Sequence, residues 1–217
     1  MQIQNLCLLA LFVAIFSYTT SAARFNFNHF DGSNLVFLGD AELGSTADGS
    51  SLSGALSMTR DTSRFSHGQG KYASEIPFKP SNSSSTTYSF KTSFTFSISP
   101  RRKTNPAPGH GLAFIVVPTI DNDGAAGKGF LGLGDKYKSW VEYDNVTKLV
   151  TVTIAPAYLS KPKKPLIETQ IDLSKVFLGN MFTGFSGSMG REVERHDIWT
   201  WRFENNAPKE TKPVQSG

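Results

Sequence analysis

Glu142 and Asp144 stand two residues apart in Trp140-Val141-Glu142-Tyr143-Asp144. Paired carboxylates on one face of a strand are the raw material of glycoside hydrolysis or of a site for a hard cation. Calcium needs six to eight oxygen ligands, and Val146 to Ala155 adds no carboxylate and no imidazole. The pair therefore reads as the exposed face of a hairpin. Nucleophilic catalysis also lacks its frame, because Gly184-Phe185-Ser186-Gly187-Ser188 has the wrong spacing for a Gly-x-Ser-x-Gly elbow. Four His residues and one Cys show no zinc spacing. His110 stands at the start of an apolar run, where its neutral ring could accept one hydrogen bond or serve only as a loop residue. These residues predict a protein that is not an enzyme and has no metal ligands.

The run that His110 precedes is Gly111-Leu112-Ala113-Phe114-Ile115-Val116-Val117, closed by Pro118. Both of its faces are apolar, which predicts a central strand covered on both sides. A Gly-rich loop, Asp121 to Gly129, and the turn Phe130-Leu131-Gly132-Leu133-Gly134 follow it. Tyr88 to Ile98 alternates with period two, aromatic on one face and Ser, Lys or Thr on the other. Trp140 to Asp144 and Leu149 to Ala155 predict a hairpin around Asn145 to Lys148. Arg24 to Phe30, Asn34 to Ala41, Ser53 to Thr59 and Met181 to Ser186 predict further strands. His67 to Ala73 reads as a turn, Leu173 to Leu178 as one helical turn and Gly187 to Arg195 as a polar loop. The final strand, Asp197 to Phe203, is expected to turn Trp199, Trp201 and Phe203 inward. Many short strands separated by turn signals predict an all-β sandwich.

Composition sets the frame. The chain has 217 residues, 39% hydrophobic and 18% charged, with 17 Phe and 19 Gly, which suits one globular domain. Its net charge of +4 comes from scattered bases, and no basic helix with stacking aromatics points to nucleic acid. Residues 1–22 read as a signal peptide: the apolar run Leu6 to Phe16 is too short for a membrane span and is followed by small residues. The mature chain is then secreted and extracellular (apoplastic), with no membrane span. It holds no cysteine, since Cys7 lies in the signal. Asn82-Ser83-Ser84 and Asn145-Val146-Thr147 are candidate glycosylation sites. Residues 24–204 form the domain, and 205–217 read as a polar C-terminal tail.

In this order, Phe25-x-Phe27, Gly39-Asp40-Ala41, Ser93-Phe94-x-Phe96, Gly111-Leu112-Ala113-Phe114, Phe130-Leu131-Gly132-Leu133, Gly184-Phe185-Ser186 and His196-Asp197-Ile198 resemble the legume-type (L-type) lectin domain. His110-Gly111 and Trp140 to Asp144 look most like the ectodomains of plant lectin-domain receptor kinases. The resemblance implies a concanavalin-type jelly-roll β-sandwich that binds glycans or glycoproteins at one sheet edge, in some cases as a homo-oligomer. It also implies calcium and manganese as cofactors. Their ligands belong to a block between the Gly-Leu-Gly-Leu turn and the strand near Trp140. Here only Gly134 to Ser139 fills that interval, so metal ligands and some strands are expected to be missing. By the same resemblance His110, Gly129, Gly190, Arg191 and Glu192 are the carbohydrate-contacting positions, with His110 where the family has a sugar-accepting Asp. Glycosidases of similar shape carry Glu-x-Asp-x-x-Glu, and here Thr147 replaces the last Glu. Two functions stay open: a carbohydrate-binding protein of reduced affinity, or a non-catalytic, lectin-derived protein that binds another partner or is degenerate.

Overall fold

The computed structural model describes residues 23–208 apart from 46–49, 61, 63, 81, 82, 84, 101–108, 122–134 and 192. The expected signal peptide, Asn82, Gly129, the Phe130 to Gly134 turn and Glu192 lie outside the described residues.

The strands are β1 (Arg24–Phe27), β2 (Leu35–Gly39), β3 (Glu42–Ser45), β4 (Leu52–Ser57), β5 (His67–Tyr72), β6 (Ile76–Pro77) and β7 (Phe90–Pro100). After them come β8 (Gly111–Val117), β9 (Tyr137–Asp144), β10 (Leu149–Pro156), β11 (Ile167–Gln170), β12 (Asn180–Ser188) and β13 (Glu194–Asn205). The helical turn expected near Leu173 is a 3-10 turn over Leu173–Lys175, capped by Asp172. Two antiparallel sheets result. The larger has eight strands in the order β11-β10-β9-β7-β13-β4-β3, with β1 also on β13. The smaller runs β2-β5-β12, with β8 and β6 both pairing to β12.

The alternation of β7 puts Phe90, Phe94, Phe96 and Ile98 into the space between the sheets. Opposite them β12 contributes Phe185, and β8 contributes Leu112 and Phe114. Trp201 lies at the middle, with no exposed surface. Its ring meets Phe25 at 4.6 Å and Phe185 at 4.8 Å between centroids, both edge-on. Its indole N–H donates to Thr92 Oγ1 at 3.0 Å, so burial leaves no polar atom unpaired.

The structure corrects four sequence expectations. Trp199 does not face inward. A bulge between Ile198 and Thr200 inserts one residue, so Ile198 and Trp201 take the inner face and Trp199 the outer. There its N–H donates to Ser97 Oγ at 2.9 Å, and the Lys136 ammonium lies 3.4 Å from the ring centroid. His67 to Tyr72 is not a turn but the strand β5, between β2 and β12. Its glycines supply space: a Cβ on Gly70 would lie 2.7 Å from Leu56 Cδ1, and one on Gly68 2.4 Å from Ala41 N. Among the described residues β8 is not central, with β12 as its one strand partner. Its second apolar face is still sheltered: Ile115 is buried, and the segment after β8 brings the Ile120 carbonyl 2.8 Å from the fully buried Lys71 Nζ. Finally, Asn205 is no tail residue. It ends β13 and is buried, its amide donating to Pro77 O at 2.7 Å.

Trp201→Ala should therefore cost about 3–5 kcal/mol, the range for losing a large buried aromatic. Trp199→Ala, which gives up one surface hydrogen bond and one cation–π contact, should cost no more than about 1.5 kcal/mol. Urea unfolding of the two variants checks the ranking.

Candidate functional site

Of the carbohydrate-contacting positions expected from sequence, His110, Gly190 and Arg191 are described, and the first two meet where β8 begins. His110 N–H donates to Ser188 O at 3.1 Å, extending the β8–β12 ladder by one residue. The His110 ring lies over Gly190, where a Cβ would come 3.0 Å from Nε2. Gly190 O accepts from Phe65 N–H at 3.0 Å, and Met189 N–H donates to Ser66 O at 2.9 Å, so the loop is tied to the segment before β5. His110 and Gly190 thus meet, and the exposed Arg191 follows beside them.

Beneath this corner lies a polar assembly that motif reading missed. Glu194 and His196 alternate inward on β13 and are buried. The Thr59 hydroxyl donates its single hydrogen to Glu194 O at 2.8 Å and accepts from His196 N–H at 3.1 Å. Its 2.9 Å contact with His196 Nδ1 must then be Nδ1–H donating. That tautomer leaves a lone pair on Nε2, which is buried, has no hydrogen-bond partner and faces Glu194 Oε2 at 3.6 Å. Burial pushes the Glu194 carboxyl above its usual range, against the pull of the Gly109 N–H it accepts. Burial also holds His196 down at about 4. Both directions favour the uncharged forms of the two groups. The Glu194 carboxyl, by accepting the Gly109 N–H, anchors the residue before His110. The signal in the sequence was parity: His196 falls on the same inner face as Ile198.

The other candidates lie elsewhere. Glu142 and Asp144 belong to the larger sheet, not to the one that holds β8. Glu142 is paired with Lys161 Nζ at 2.6 Å. Asp144 accepts from Thr147 N–H and Val146 N–H at 2.9 and 2.8 Å, which lowers its carboxyl and closes the hairpin turn. Asn145 sits in that turn, its amide nitrogen donating to Thr87 O at 2.8 Å. Among the described residues no three His, Cys, Asp or Glu side chains gather as a metal site. They do not fit a calcium and transition-metal pair.

The two shifts set opposite pH limbs. Glu194, raised, supplies stability at low pH that is lost as pH rises through its folded value. His196, lowered from 6.5 to about 4, resists a proton that the unfolded chain accepts, so stability also falls as pH drops across that interval. The acid loss is on the order of 3 kcal/mol at most. Glu194→Gln keeps an acceptor for the Gly109 N–H but cannot ionise. In thermal melts between pH 4 and 9, the wild type should lose stability relative to this variant as pH rises. A pH-independent gap would contradict the raised Glu194 carboxyl.

Comparison with known proteins agrees with this architecture. The family of the legume lectin domain matches in two pieces, residues 22–136 and 133–217. A lectin-like protein of Arabidopsis thaliana is 48% identical over 283 aligned residues, covering 95% of this chain and 99% of that protein. That span exceeds the 217 residues present here, so the relative carries segments this chain lacks. A probable L-type lectin-domain receptor kinase of the same plant, VII.2, is 27% identical across 87% of this chain and 36% of the kinase. Among solved structures, lectin II from Ulex europaeus superposes with a TM-score of 0.68 at 21% identity, covering 84% of this chain and 98% of that one. The Lotus tetragonolobus seed lectin gives 0.67 at 23%, covering 87% and 100%. With its two antiparallel sheets and a family match that spans nearly the whole chain, this protein belongs to the legume lectin domain family.

Proposed function

We propose that the chain is a secreted, non-catalytic glycan-binding protein whose edge site works without the family's metals and with reduced sugar affinity. The observation that carries this reading is the break in the family match at residues 133–136. It falls where the sequence leaves only Gly134 to Ser139 for the block that the resemblance assigns to calcium and manganese. Among the described residues no three His, Cys, Asp or Glu side chains gather, which leaves this reading without a rival ligand set there. The apolar run near the N-terminus supports secretion, and both sequons suit a secreted glycoprotein.

The site that remains is built from main chain and one imidazole. His110 offers an acceptor and a donor beside Gly190, and Arg191 adds a cation. A neutral ring cannot accept two sugar hydroxyls as a carboxylate does, so weaker binding follows from the residue type itself. Gly129 and Glu192 are proposed to complete the contact set.

The purified mature protein, assayed on a glycan array with and without chelator and by elemental analysis, tests this reading. The expected result is weak glycan binding unchanged by chelation, with no stoichiometric calcium or manganese. Two metals per chain, or binding abolished by chelator, would overturn it. Absence of any glycan binding would favour a lectin-derived protein with another partner.

A further inference from the structure

The outer surface of the larger sheet carries a shallow groove of about 310 Å³, at the low end of small-molecule sites. Registry shows how it forms. Glu142, Lys91 and Glu204 lie side by side on β9, β7 and β13, and the next row on that face is Trp140, Ser93 and Arg202. In that row a small residue separates two large ones. Ser93 is the floor, and the Trp140 indole and Arg202 guanidinium are the walls. Their strands lie two spacings apart, about 9.6 Å.

The groups that line the groove are unevenly committed. Glu142 is paired with Lys161 at 2.6 Å, and Glu204 with Arg202 at 3.1 Å and Arg24 at 3.7 Å. Lys91 is exposed and has no ion pair or hydrogen bond among the described residues. Lys138 has only the Trp140 ring, 5.4 Å from its ammonium. The N–H groups of Trp199 and Trp201 are bonded to Ser97 and Thr92, whereas that of Trp140 has no partner among the described residues. The groove thus presents an aromatic plate, a free N–H donor, the unpaired Lys91 ammonium and the Lys138 ammonium held over the Trp140 ring. Its carboxylates retain lone pairs for hydroxyl donors.

We propose that this groove binds an acidic oligosaccharide. A pyranose ring lies against Trp140 by its C–H face, its carboxylate or sulfate meets Lys91 and Lys138, and its hydroxyls donate to Glu142 and Glu204. Ring stacking on an indole and cation pairing with an anionic substituent are both favourable in such a half-exposed trough. A second copy of the chain fits less well. Arg24, Lys91, Lys138, Lys161 and Arg202 outnumber Glu142 and Glu204, so a two-fold contact here would bring two positive faces together. The proposal is independent of the His110 edge.

The test is titration of the mature protein with tetragalacturonate, its fully methyl-esterified neutral form, and a sulfated oligosaccharide of similar length. NMR of the three indole N–H signals is the readout. The expected result is a shift of the Trp140 signal with the acidic sugars and none with the neutral ester. The affinity should fall about tenfold or more in Trp140→Ala, several-fold in Lys91→Glu, and as salt rises. His110→Ala should leave it unchanged. Which anion binds tighter assigns the substituent. Equal binding of the neutral ester, or acidic binding undiminished in the folded Lys91→Glu protein, overturns the proposal. So does a concentration-dependent dimer that is lost in Trp140→Ala without any sugar effect.

Discussion

Trp201 sets the separation of the two sheets. Its ring is reached from β1 by Phe25 and Phe27, from β8 by Phe114 and from β12 by Phe185. Three of these rings meet it edge-on, the geometry that aromatic quadrupoles favour. The single polar atom of the indole is satisfied within its own sheet by Thr92. Because the chain holds no cysteine after Cys7, this packing stands without covalent staples. Every other element is placed relative to β13, which pairs with β7 along nearly its whole length and also with β1 and β4.

That arrangement explains how the domain tolerates a shortened chain. The aromatic seam is built from β1, β7, β12 and β13, with Phe114 added by β8, and its strands all lie outside residues 133–136, where the family match divides. The strand that borders the division, β8, contributes Leu112, Phe114 and Val116 to the core from the outside of the smaller sheet. β9 then enters the other sheet with a full register against β7 and β10.

Much of this was legible in the sequence, and the exceptions have physical causes. The β7 alternation and the β9–β10 hairpin are periodic over many residues, so their side-chain parity could be read directly. Motif order singled out His110 and Gly190, but their contact is visible only in the structure. Parity failed for Trp199 because a bulge adds one residue, and no composition cue marks the bulge between Ile198 and Thr200. β5 was misread because glycine is the strongest turn signal, yet here glycine answers the pressure of Leu56 and Ala41 from the facing layer. The Glu194–His196–Thr59 assembly joins residues whose relation depends on β4 and β13 being neighbours, which local pattern does not encode. β8 was read as central because both its faces are apolar, but a covering segment and a buried lysine shelter a strand as well as a second neighbour does.

The glycines of the smaller sheet carry one further consequence. A Cβ on Gly184 would fall 2.3 Å from Gly70 O, and one on Gly187 2.6 Å from Met58 Cβ. At Gly184 main chain packs directly on main chain, and at Gly187 on the Met58 side chain. Most cores adapt to drift by exchanging volume between neighbouring side chains. At Gly184 there is no side-chain volume to exchange, so a replacement there must move main chain. The smaller sheet is thus mutationally rigid along β5 and β12, and variation in the shape of its outer face must come from the loops around it.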